Sequence, residues 1–135
     1  MKDDCIFCKL ANGVFATNSI YEDDMFNVIL DAGPATKGHA LILPKEHYEN
    51  LFELPIEVAG EAMKLAKKLS AKMVKTLGAD GLNIVQNNGE CAGQTVMHYH
   101  LHIIPRYAND GQHILWQPTT PKDGELEEIK DMLVD

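Results

Sequence analysis

Two short aliphatic runs in the first third of the chain have the length and composition of buried β-strands. The first is NVILD at 27–31 and the second is HALILPK at 39–45. The segment between them, AGPATKG, contains glycine and proline, which favour turns. The pattern therefore predicts an antiparallel hairpin.

The spacing of apolar residues changes to three and four between Leu54 and Leu77, which indicates an amphipathic helix. Lysines occupy many of the intervening positions, as expected for the solvent face of such a helix. Gly78 follows directly and is predicted to end it, because glycine readily adopts the left-handed conformation at a helix C-terminus. The apolar positions are Ala62, Leu65, Ala66, Leu69, Met73 and Leu77.

Strand character returns at 82–87 (LNIVQN) and at 96–106 (VMHYHLHIIPR), and a short helical pattern occupies 125–134 near the C-terminus. We therefore expect an α+β fold, in which one long helix packs on an antiparallel sheet and a short helix lies near the C-terminus. The length predicts a single domain over residues 1–135.

Composition narrows the class of protein. The net charge of −8 argues against a nucleic-acid polymer as partner, because such a partner requires a basic surface. An anionic ligand would have to be small and held by local dipoles. The acidic N-terminus does not resemble a secretory signal, and no run of eighteen apolar residues occurs. We expect a soluble, cytoplasmic protein that does not insert into a membrane.

Three histidines, His98, His100 and His102, occupy every second position of HYHLHII. On a strand they would point to the same face, with neighbouring Cα atoms about 6–7 Å apart. The outer pair, about 13 Å apart, could hardly share one zinc ion without bending the strand. A neutral imidazole also serves as a nucleophile or proton carrier near pH 7. The spacing thus favours function and argues against a single three-histidine metal site.

The loop NNGECAGQTV precedes the histidines and has the composition of an anion-binding loop. Gly89 and Gly93 permit conformations that aim backbone N–H groups at an anion, and Gln94 and Thr95 add side-chain donors. The alternative is a plain turn, since no longer phosphate-binding motif is present. The loop therefore indicates a phosphate site only in combination with the histidines.

The CIFC segment at 5–8 has the C-x2-C spacing at which two thiolates can bind one zinc ion. Two further ligands would be needed, and His47 and one end of the histidine strand are available. The alternative is a pair of small buried apolar residues without a metal. With Cys91 the cysteine count is three, which is poor material for a disulfide scaffold.

Taken together, these motifs resemble the histidine triad (HIT) family. HYHLHII has the pattern H-φ-H-φ-H-φ-φ, where φ is apolar or aromatic. The segments CIFCKL, YEDD, ILDAGPATKGHALILPKEH and NNGECAGQTVMHYHLHIIPR are similar to Hint-like bacterial members. The resemblance covers a core of 5–106 and is loose over the extension at 107–135. It implies a HIT-like fold with an antiparallel sheet of about five strands, assembled as a homodimer.

The resemblance also implies an activity, that of a nucleoside phosphoramidase or dinucleoside polyphosphate hydrolase. The substrate would be a purine nucleotide conjugate of AMP or GMP, such as an adenosine phosphoramidate or a dinucleoside polyphosphate. The middle histidine would attack the α-phosphorus, and water would hydrolyse the resulting nucleotidyl-histidine. The implied catalytic residues are His100 as the nucleophile, His102, His39 and Thr95.

Further residues are assigned by the same resemblance. Asp31 would bind the ribose hydroxyls. A structural zinc would be the only cofactor, with no organic cofactor. The implied phosphate-loop residues are Asn87, Gly93 and Gln94. The base pocket would contain Phe7, Leu10 and Ile29, and the zinc ligands would be Cys5, Cys8, His47 and His98.

Two other functions stay open on the sequence. In a zinc-dependent hydrolase, His98 and His100 would hold a catalytic metal and no covalent intermediate would form. In a nucleotide-binding scaffold, the fold would be kept with weak catalysis. The presence of His100, His102, Thr95 and Asn87 argues against the scaffold, since the full catalytic apparatus is present.

Overall fold

One antiparallel sheet organises the fold in the computed structural model, which describes residues 1–134. Its five strands lie in the order β1-β2-β3-β5-β4. The strands are β1 (Ser19–Glu22), β2 (Phe26–Leu30), β3 (Ala40–Pro44), β4 (Gly81–Val85) and β5 (Leu101–Arg106). The helices are α1 (Ile6–Ala11), α2 (Ile56–Leu77) and α3 (Glu125–Leu133), and one 3₁₀ turn covers Glu90–Ala92.

The hairpin and the long helix confirm the predictions from periodicity. Strands β2 and β3 pair antiparallel with Val28 opposite Ile42. Helix α2 ends at Gly78, whose φ of 68° is left-handed and whose N–H donates to the carbonyl of Val74. The predicted α+β class and the antiparallel sheet are therefore confirmed.

The two faces of the sheet are covered by different helices. Leu101 and Ile103 of β5 belong to the core that packs against α2. Ile29 and Leu41 belong to a smaller core on the other face, against α1. Because side chains alternate along a strand, His102 lies on the α1 face, between Leu101 and Ile103. The short N-terminal helix therefore sits beside the histidines.

The last predicted strand is shorter than expected. Strand β5 begins at Leu101 and not at residue 96, so only His102 lies within it. The amides before it bond elsewhere: His98 N–H donates to Val96 O (2.9 Å), and Tyr99 N–H donates to Tyr48 O (2.6 Å). These bonds replace the expected strand ladder, so His98 and His100 occupy an irregular segment.

Two elements, α1 and β1, were not predicted individually from periodicity. Helix α1 has six residues and includes the C-x2-C segment, with Cys5 as its N-cap: the Cys5 Sγ accepts from the Cys8 N–H at 3.3 Å. Strand β1 has four residues, all of them exposed, so it carries no alternating apolar signal. Both are too short for a periodic pattern to define.

The C-terminal segment exposes much of its apolar surface. Helix α3 has no buried residue, and Leu115 and Trp116 are each 82% exposed. The homodimer that the resemblance implies stays a prediction. Among the described residues, no helix has both the length and the apolarity needed to cross a bilayer.

Candidate active site

A cavity of about 340 Å³ lies on the α1 face of the sheet and gathers most of the predicted site. Seven residues named from the sequence line it: Phe7, Leu10, Ile29, Asp31, Thr95, His100 and His102. Five others were not singled out: Ala16, Thr17, Leu30, Ala32 and Leu41. The alternation of β3 could have indicated Leu41, whereas Ala16 and Thr17 lie in a loop without a motif. The residues predicted for the base and the ribose thus share one cavity with His100, His102 and Thr95, whereas the predicted phosphate-loop residues do not line it; these are Asn87, Gly93 and Gln94.

His100 is 6% exposed, and its partners determine where its proton lies. Its Nδ1 is 2.7 Å from the carbonyl oxygen of His98. A carbonyl only accepts, so Nδ1 carries the proton and donates it. The neutral ring therefore has a lone pair on Nε2. The edge-to-face contact with Phe7, with ring centroids 4.9 Å apart, helps to hold the ring in this orientation.

His39 and His102 form a hydrogen-bonded pair behind the cavity. The Ala35 N–H donates to His39 Nδ1 at 2.9 Å, so the proton of neutral His39 lies on Nε2. That Nε2 is 2.9 Å from His102 Nδ1 and 3.6 Å from Asp31 Oδ2. His102 Nδ1 must then accept, which places the His102 proton on Nε2. Within residues 1–134 this Nε2–H has no hydrogen-bond partner, and it is available to a ligand.

Burial keeps these imidazoles neutral near pH 7. It lowers the pKa of His100 and of His39, against the opposing effect of the Asp31 carboxylate. It lowers the pKa of His102 to about 4, with further contributions from His100 and His39. Neutral rings keep the lone pair on His100 and the donor on His102 at the same time.

Asp31, His39 and His102 also lie close enough together to suggest a metal site, since their ligand atoms are within 4.8 Å of one another. The proton positions argue against that reading. A metal would need the lone pair of His39 Nε2, but that nitrogen carries the proton donated to His102. The group therefore orients a proton donor toward the cavity.

In the glycine-rich loop, hydrogen-bond donors that we expected to face a phosphate instead bond to the protein itself. Gly93 N–H donates to Glu90 O at 2.9 Å, and Gln94 N–H donates to Gly89 O at 3.0 Å. Gln94 is 2% exposed and its side chain bonds only to protein backbone, so both of its N–H donors are already used and its predicted role at the phosphate stays a prediction. Asn87 packs against Gly93, whose φ of 99° requires glycine. Thr95 alone in this loop lines the cavity.

A second cluster lies next to this cavity and contains Cys5, Cys8, His47 and His98. The Sγ atoms of Cys5 and Cys8 are each 3.4 Å from His98 Nδ1, and Cys8 Sγ is 3.4 Å from His47 Nδ1. His98 Nε2 donates to Pro44 O at 2.9 Å, so its Nδ1 lone pair faces the thiols. The four donor atoms therefore converge from three separate parts of the chain.

These residues fit a tetrahedral metal ion. Bonds of about 2.3 Å to sulfur and about 2.0 Å to nitrogen place neighbouring ligand atoms about 3.5 Å apart, close to the observed spacing. Burial lowers the pKa of His98 to about 4 and raises that of the Cys8 thiol. The imidazole is thus a ready ligand, and a cation would favour the thiolate. Four protein donors would make a closed, structural site.

Comparison with known proteins places this architecture in a family. The HIT domain model matches residues 12–109. The chain belongs to the HIT family. The crystal structure of SMU.412c from Streptococcus mutans UA159 has the same fold, with a TM-score of 0.93 and 38% identity over 98% of this chain and 85% of that chain. The sequence-based assignment to the family is confirmed.

Three further HIT relatives are informative about chemistry. A Zn-bound histidine triad protein from Mycobacterium smegmatis is 33% identical, with a TM-score of 0.78 over 96% of this chain and 97% of that one. Adenosine 5'-monophosphoramidase of Schizosaccharomyces pombe is 40% identical over 76% of this chain and 74% of its own length. Adenylylsulfatase of Arabidopsis thaliana is 43% identical over 82% of this chain but only 56% of its own length. Hydrolases of nucleotides thus occur among the relatives.

The buried His102 is expected to make the HIT fold less stable in acid. Its pKa is about 4 in the folded chain and about 6.5 when unperturbed. Between these values the unfolded chain binds more protons, so the free energy of unfolding falls as the pH falls from 6.5 toward 4. Above pH 6.5 this contribution is constant. Urea unfolding between pH 4 and 8 at constant metal concentration measures it.

The matched variants are His102→Gln and His113→Gln, because His113 is exposed and lies outside the cavity. The first is expected to reduce the slope between pH 6.5 and 4, with the other buried histidines supplying the remainder, and the second to retain the wild-type curve. Equal slopes for wild type and His102→Gln would contradict the assigned pKa of His102.

Proposed function

We propose that this HIT protein cleaves a purine nucleotide conjugate at its α-phosphorus through a covalent nucleotidyl-His100 intermediate. The observation that carries the proposal is the pair of opposite tautomers in one cavity. His100 presents a lone pair on Nε2, and His102 presents a proton on Nε2. A nucleophile and a hydrogen-bond donor beside each other are what displacement at a phosphate requires.

In the first step the His100 Nε2 lone pair forms a bond to phosphorus and the bond to the leaving group breaks. The leaving group takes that electron pair and a proton from solvent water. The ring becomes positively charged, and its Nδ1–H donates to the His98 carbonyl, which stabilises the charge. In the second step water attacks phosphorus, the P–N bond breaks and returns its electron pair to Nε2, one proton of the water is released to solvent, and neutral His100 is restored.

His102 and its partners would stabilise the negative charge on the phosphate. The His102 Nε2–H donates to a non-bridging oxygen, while His39 fixes its tautomer through the 2.9 Å bond to Nδ1. Thr95 lines the same cavity and supplies a hydroxyl near the phosphate or the leaving group. Asn87 and Gly93 shape the adjoining loop.

The rest of the cavity suits a nucleoside. Phe7, Leu10 and Ile29 give it an apolar wall for a purine, and Asp31 is an acceptor for ribose hydroxyls. The named activities of the yeast and plant relatives support an adenosine nucleotide. Those two names share an adenylyl group and differ in the group that leaves. We therefore propose an AMP conjugate as the first substrate to test, with GMP conjugates as the comparison.

We further propose that the Cys5, Cys8, His47 and His98 cluster holds a structural zinc. The convergence of its donor atoms and the Zn-bound mycobacterial relative support the assignment. Zinc supplies a rigid four-way crosslink there and no open position for substrate. Its ligand His98 also provides the carbonyl that accepts from His100, so the crosslink would steady the nucleophile.

This arrangement disfavours the zinc-dependent hydrolase. His98 Nδ1 faces the cysteines, whereas His100 belongs to neither cluster of potential metal ligands among the described residues. The two histidines therefore do not share a candidate metal position. A nucleotide-binding scaffold differs only in turnover and has to be distinguished by experiment.

Wild-type protein mixed with an adenosine phosphoramidate and quenched rapidly in alkaline denaturant is expected to carry one adenylyl group by intact mass. His100→Gly should carry none, because it removes the nucleophilic nitrogen. His113→Gly is the matched control and should behave as wild type. An adenylyl adduct that still forms in His100→Gly would contradict the assignment of His100 as the nucleophile. Zinc-dependent turnover without any adduct would favour the metalloenzyme, and AMP binding without turnover would favour the scaffold.

Chelation of the metal is expected to lower the melting temperature by about 5–10 °C, since a ligand that binds only the folded state stabilises it. Cys8→Ser should melt lower and lose most of the response to chelator. Cys91→Ser is the matched control, because Cys91 is exposed and outside the cluster, and it should respond as wild type. If chelator and added zinc leave the melting temperature of the wild type unchanged, the cluster does not hold a structural metal.

A further inference from the structure

Gln94 is a fully buried amide whose side chain has all its principal hydrogen bonds within the protein. Its Oε1 accepts from the Gly89 N–H at 2.8 Å. Its Nε2 donates to Glu49 O at 2.7 Å and to Val96 O at 3.0 Å. With 2% of its surface exposed, the residue is buried although it sits in a polar loop. Such a buried and satisfied amide fixes the relative position of the segments it joins.

The two segments belong to different sites. Residues 46–51 contain His47, one of the potential metal ligands, and Glu49 lies two positions further on. Residues 87–96 form the glycine-rich loop with Thr95, which lines the nucleotide cavity. A second bond joins the same segments, from the Leu51 N–H to Asn88 Oδ1 at 2.7 Å, but it lies farther from Thr95 in sequence.

The carbonyl of Val96 is where these connections meet. It accepts from Gln94 Nε2 at 3.0 Å and from the backbone N–H of His98 at 2.9 Å. His98 is another potential metal ligand. Thr95 lies between Gln94 and Val96, so two bonds hold its backbone. One joins the Gln94 amide to the carbonyl of Glu49, close to His47, and the other joins the His98 N–H to the carbonyl of Val96.

We propose that Gln94 is a positioning residue that couples metal occupancy of the Cys5, Cys8, His47 and His98 cluster to nucleotide phosphate binding. The inference rests on the function proposed above. Metal binding fixes His47 and His98, which fixes the Glu49 and Val96 carbonyls, and the Gln94 amide then holds Thr95 in its place at the cavity. Coupling of this kind is reciprocal, so nucleotide binding also tightens the metal.

The test measures the dissociation constant of AMP with the zinc-loaded and the chelated protein. For wild type, chelation is expected to weaken AMP binding about tenfold, within the usual range of coupling between sites. Gln94→Glu keeps the size of the side chain and the acceptor for Gly89, but it loses both donor bonds. Its coupling should fall to about threefold or less, with the His98 main-chain route as the remainder. Zinc affinity measured with and without AMP should change by the same factors.

Met73→Ala is the matched control, because it removes a buried apolar side chain of the α2 core that has no hydrogen bond to either loop. It should lower stability and keep the tenfold coupling. In wild type, chelation should also speed amide hydrogen exchange at Gly89, whose N–H donates to Gln94. If Gln94→Glu does not fold, this exchange measurement on the wild type tests the role of Gln94 in the coupling.

Several outcomes would overturn the inference. They are equal AMP affinity with and without zinc, undiminished coupling in Gln94→Glu, and an unchanged rate of amide hydrogen exchange at Gly89. Complete unfolding of the chelated wild type would also overturn it, because the loss of AMP binding would then follow from the loss of the whole fold. Failure of the zinc-loaded wild type to bind AMP at all would instead overturn the proposed function.

Discussion

The hydrogen bond from His100 Nδ1 to the carbonyl of His98 is the interaction on which the candidate site depends. At 2.7 Å it assigns the proton of a buried imidazole to one nitrogen and leaves a lone pair on the other. The same bond would stabilise the positively charged ring once His100 carries the nucleotidyl group. A carbonyl is well suited to this role because it accepts in both states and cannot itself take the proton at neutral pH.

That carbonyl is held by an unusually dense set of contacts. The ring of His98 donates to Pro44 O and faces the two cysteines, and the neighbouring Tyr99 N–H donates to Tyr48 O. The irregular segment before β5 thus replaces strand pairing with contacts to α1 and to the loop after β3. The three alternating histidines end in three environments: His98 at the cysteines, His100 against Phe7, and His102 on His39.

Much of this could be predicted from sequence. The α2 pattern placed Ala62 and Met73 in the core, and Val28 pairs with Ile42 in the predicted hairpin. The histidine and loop motifs, together with the resemblance to the HIT family, also identified seven residues of one cavity. Short elements were missed, because six residues of α1 and four exposed residues of β1 contain no measurable period.

Other features could not be predicted because they depend on contacts across the fold. The start of β5 is set by the bond from Tyr99 to Tyr48, which is distant in sequence. Gln94 has the residue type of a phosphate donor, yet its amide turns inward to reach the carbonyl of Glu49. The proton position on His102 likewise follows from its bond to His39, which is 63 residues away in sequence. In each case the residue type was informative and its orientation was not.

The central claim is that His100 and His102 hold opposite tautomers, and nitrogen NMR of histidine-labelled protein tests it most directly. At pH 7.5 the account predicts that His100 is neutral and protonated on Nδ1, while His102 is neutral and protonated on Nε2. Assignment of the two signals by His100→Gly and His102→Gln spectra makes the comparison definite. A proton on Nε2 of His100, or a charged His100 at this pH, would contradict the account, because no lone pair would then be available for phosphorus.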